Sequence, residues 1–72
     1  MNNAAALLRQ QLHAADEAAT RGDVVGALQA WMALLPQLQQ HGLIAEADAA
    51  NVSVLHYHNI IEQARLGGNM LF

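Results

Sequence analysis

Residues 43–66 read LIAEADAANVSVLHYHNIIEQARL, and the placement of their apolar side chains decides the fold. Leu43, Ala47, Ala50, Val54, Tyr57, Ile61 and Ala64 recur at alternating intervals of four and three. That spacing puts all seven on one face of a helix, in the manner of an a/d seam, and excludes the period-two alternation of a half-buried strand. Small residues fill the first half of the seam and larger ones the second, so it approaches a neighbour closely at one end and stands off at the other. A second row, Ile44, Val52, Leu55, Ile60 and Leu66, lies beside or behind it. Gly67–Gly68 predicts the end of this helix. Asn69, Met70, Leu71 and Phe72 then form a short tail that frays, folds back over the seam or enters a partner groove.

Two shorter helical segments precede it. The first runs from about residue 4 to residue 20, after Asn2 and Asn3, both good N-cap types. Leu8, Leu12, Ala15 and Ala19 form its stripe, widened by Leu7, Ala14 and Ala18, with Asp16 and Glu17 opposite. Gly22–Asp23 closes this helix and opens the next, because glycine supplies the left-handed C′ conformation and aspartate caps an N-terminus. The second segment spans about 24–40, with Val24, Leu28, Trp31, Leu35 and Leu38 on its stripe. Pro36 inside it removes a hydrogen bond and predicts a kink or a break. His41–Gly42 is its stop signal. The expected fold is all-α: two or three antiparallel helices, as a helical hairpin or small bundle, with a long C-terminal helix.

Size and composition narrow the function. A chain of 72 residues forms one small domain, spanning 1–72. The absence of cysteine excludes disulfide staples and thiolate-ligated zinc or iron–sulfur centres. Charged residues make up only 12% of the chain, half the usual share, and a weakly charged surface favours association. Arg9, Arg21 and Arg65 are its only fixed cations and are dispersed, against a net charge of −3. Such a chain lacks the clustered basic face that nucleic acid or anionic lipid demands. No apolar run reaches the roughly 18 residues of a membrane span, and no basic leader precedes one, so a cytoplasmic location is expected.

Residues 14–38 resemble a single tetratricopeptide-type helical hairpin. The matching features are the Gly22–Asp23 turn, the Ala27–Leu28 pair and the aromatic Trp31 four residues after Ala27. The resemblance implies a second helix packed on the first through its small alanine, and protein binding rather than catalysis. The first helix here has alanines and polar residues where that family places aromatics and leucines, and no second repeat follows.

Candidate chemistry is sparse. His13–Glu17 and His58–Glu62 are i,i+4 pairs, each presenting an imidazole and a carboxylate on one helix face. Together they would make a two-histidine, two-glutamate metal set; separately they are surface pairs. His56 and His58 flank Tyr57 on the seam, as a pH-sensitive interface or as polar shoulders of an apolar stripe. Thr20 and Ser53 are the only hydroxyls besides Tyr57, and neither stands in a nucleophile elbow or a glycine-rich loop. No catalytic residue and no cofactor are expected. Trp31 is read as core or as a binding hot spot.

At about 1.5 Å per residue the third segment outruns the other two, and its apolar residues occupy more than one face. Surplus apolar surface predicts a protein partner, in a homodimer or a heterodimer. The expected function is therefore a non-catalytic interaction module (adaptor, co-chaperone or inhibitor). Its candidate interface is Leu43, Ala47, Ala50, Val54, Tyr57, Ile61 and Ala64, with Trp31. A helical metal protein and a structural assembly subunit are the alternatives.

Overall fold

The computed structural model describes the backbone of residues 3–70 and the side chains of residues 3–67. It contains three helices, α1 (Ala4–Thr20), α2 (Val24–Gln40) and α3 (Ile44–Met70), and no strand among the described residues. The fold is all-α, a small bundle of three helices rather than two.

Both connections are built alike. Arg21-Gly22-Asp23 and His41-Gly42-Leu43 each end a helix with glycine in the left-handed region, at φ 96° for Gly22 and 74° for Gly42. The Gly22 and Asp23 amides donate to the Ala19 and Ala18 carbonyls, at 3.0 and 2.8 Å. The Gly42 and Leu43 amides donate to the Gln39 and Leu38 carbonyls, at 3.1 and 2.8 Å. This paired bonding satisfies the carbonyls that a helix end would otherwise leave open and reverses the chain within three residues. The Asp23 carboxylate then accepts from the Gly26 amide at 3.0 Å and caps α2. Asn3 stands at the N-cap of α1 without a side-chain capping bond, and Asn2 lies outside the described residues.

One helix expectation is narrowed and one needs correction. α2 does not break at Pro36 but runs on to Gln40. Pro36 is exposed, on the side of α2 turned away from the core, and its missing N–H withholds the bond that the Met32 carbonyl would otherwise accept. One residue on, the Gln37 side-chain amide donates to the Ala33 carbonyl at 3.2 Å. α3 does not stop at Leu66 either: it continues through Gly67–Gly68 to Met70. Gly67 keeps a negative φ, unlike the two turn glycines. Leu71 and Phe72, the end of the anticipated tail, lie outside the described residues.

α2 is the middle helix. It packs on α1 along one side and on α3 along the other, while α1 and α3 barely touch. The core follows from that arrangement: Leu8 and Ala15 from α1, Ala27, Leu28, Trp31, Leu34 and Leu38 from α2, and Ala47 and Ala50 from α3 are buried. Four of these nine residues are alanines, at least one from each helix. Ala27, the alanine that the hairpin resemblance places between the first two helices, is 0% exposed. Leu34 enters the core where the sequence pattern favours Leu35, which is half-buried, and Leu7 points out to solvent at 53% exposure.

α1 and α2 have 17 residues each and α3 has 27, so α3 runs to about 40 Å against about 25 Å. Among the described side chains, Ile61 is the last apolar residue of α3 packed against the core. The remaining turns project past the other two helices. The radius of gyration, 14.2 Å, accordingly exceeds the roughly 11 Å of a compact domain of this length.

Candidate functional site

The a/d seam of α3 is largely used by the chain itself. Ala47 and Ala50 are buried, and Leu43, Val54, Tyr57 and Ile61 are half-buried against α2. Only Ala64, beyond the last core contact, is exposed. Trp31, 2% exposed, stacks on Tyr57 with ring centroids 5.5 Å apart, which couples the middle helix to the outer half of the seam. His56 meets Tyr57 edge-on at 5.1 Å. Of the eight candidate interface residues, Ala47, Ala50 and Trp31 have no surface to offer a partner while the three helices stay packed.

The second row of α3 is the one left open. Ile44, Val52, Leu55, Ile60 and Leu66 are between 46% and 65% exposed, but Ile60 stands about 140° around the helix from Leu55 and so off the line of the others. Ile44, Leu55 and Leu66 stand eleven residues apart, about three helical turns per step, so they stack in one line along the helix with Val52 beside it. Asp48, Asn51, Asn59 and Glu62 are interspersed among them. The sequence contains this row, but the row has no unbroken heptad to mark it. It became distinguishable from the seam only once α2 covered the seam.

Two concave surfaces accompany it. On one side, Leu12 and Asp16 of α1 face Glu46, Ala49, Ala50 and Ser53 of α3 across Trp31, enclosing about 150 Å³. Arg9 Nε reaches Glu46 Oε2 at 2.9 Å near this edge and makes the ion pair that ties α1 to α3. The hydrogen bond from Arg9 holds the Glu46 carboxyl below its ordinary value of 4.5, and Glu46's own backbone N–H adds to the effect. On another side, Ala14, Ala18, Gly26, Ala30 and Ala33 line an open groove of about 390 Å³ between α1 and α2.

The histidine–glutamate pairs stay apart. His13 Nε2 lies 3.5 Å from Glu17 Oε1 on the exposed face of α1. Glu62 is instead bonded to Arg65, at 2.6 Å. Among the described residues, no three histidine or carboxylate side chains converge as metal ligands would. No helix among them is long and apolar enough to cross a membrane.

No family model, curated protein or solved structure matches this chain.

Proposed function

We propose that the chain is a small, non-catalytic protein-interaction module, an adaptor, co-chaperone or inhibitor of cytoplasmic partners, working as one half of a dimer. The observation that carries this reading is the exposed apolar line of Ile44, Val52, Leu55 and Leu66 on α3. Isolated exposed leucines are ordinary, but four large apolar side chains exposed along one side of a single helix are a surface that association would cover. The surface area supports it. A compact monomer of 7.7 kDa exposes about 4,300 Å², whereas this chain exposes 5164 Å². The difference is on the order of one partner's share of a standard protein interface. The reading moves the binding surface from the seam to the row beside it, since Val54 and Tyr57 already serve the core.

The test is retention of native-cell proteins on the immobilised chain, compared with a Val52→Glu/Leu55→Glu variant and read by mass spectrometry. A partner held by the parent chain and lost by the variant supports the proposal. Equal retention by both removes α3's outer row as the interface. Light scattering on the same samples separates a closed dimer from an assembly that grows with concentration.

A further inference from the structure

No further inference is drawn: the strongest candidate, the open apolar row of Ile44, Val52, Leu55 and Leu66 on α3, belongs to the surface already described, and nothing in the structure shows whether a second copy or another protein covers it.

Discussion

Trp31 concentrates the stability of this small molecule in one side chain. It is the only tryptophan in the sequence, it is 2% exposed, and its stack on Tyr57 joins α2 to α3. Removing a buried aromatic side chain costs about 3–5 kcal/mol. A 72-residue domain has on the order of 4–11 kcal/mol in total. Trp31→Ala is therefore expected to leave the chain unfolded or nearly so in circular dichroism, while Tyr57→Ala, at a half-buried position, lowers the urea midpoint by less. The Trp31 fluorescence of the parent should shift to longer wavelength on unfolding, in step with the loss of helix. The Arg9–Glu46 pair acts in a different way. Glu46 is held below 4.5 in the folded chain, so on acidification the unfolded chain takes up the proton first. The pair's contribution is complete above 4.5 and is lost as pH falls through the lower, folded-state value. Urea titrations of the parent and Glu46→Gln are expected to differ at neutral pH and to converge in acid. A difference that persists unchanged in acid would show that the carboxylate is not its source.

At the scale of helices, most of what the sequence encodes is local and was legible for that reason. Both turn glycines occupy the left-handed conformation that only glycine adopts freely, and each is followed by a residue whose amide closes the turn, so α1 and α2 can be bounded from the letters alone. Gly67–Gly68 uses the same letter without that context. The helix passes through them. Pro36 is ambiguous by nature, because its cost depends on whether its ring meets another helix, which is a tertiary fact. In the fold it faces water. Which of α3's two apolar rows is covered is likewise not local, since both have helical spacing. The seam's alanines are the only hint in the sequence that the seam turns inward. The Pro36 reading can be checked directly. Pro36→Ala restores an N–H opposite the Met32 carbonyl and removes a residue that costs up to about 3 kcal/mol inside a helix. The urea midpoint is expected to rise. A fall would mean that the path α2 takes at Pro36 is needed to seat α1 and α3 together.

At the scale of the whole molecule, the three helices form two packed interfaces that share α2, with one face of α3 left over. A closed three-helix bundle would bury a stripe of every helix against both others, but here α1 and α3 meet at little more than the Arg9–Glu46 pair. The consequence is a division of labour along α3 that two double substitutions can separate. Val54 and Tyr57 lie on the seam, packed against the core; Val52 and Leu55 lie two residues before each of them, on the open row. Val54→Glu/Tyr57→Glu forces two carboxylates toward α2 and breaks the Trp31 stack, at a cost of several kcal/mol that a domain of this size cannot absorb. Val52→Glu/Leu55→Glu places the same charges in water, where surface changes stay within about 0.5 kcal/mol each. Thermal melts followed by circular dichroism are expected to show the first variant unfolded and the second close to the parent. If both melt alike, α3 is not oriented with its seam inward. If only the second unfolds, the open row is part of a core that the isolated chain assembles with another copy of itself.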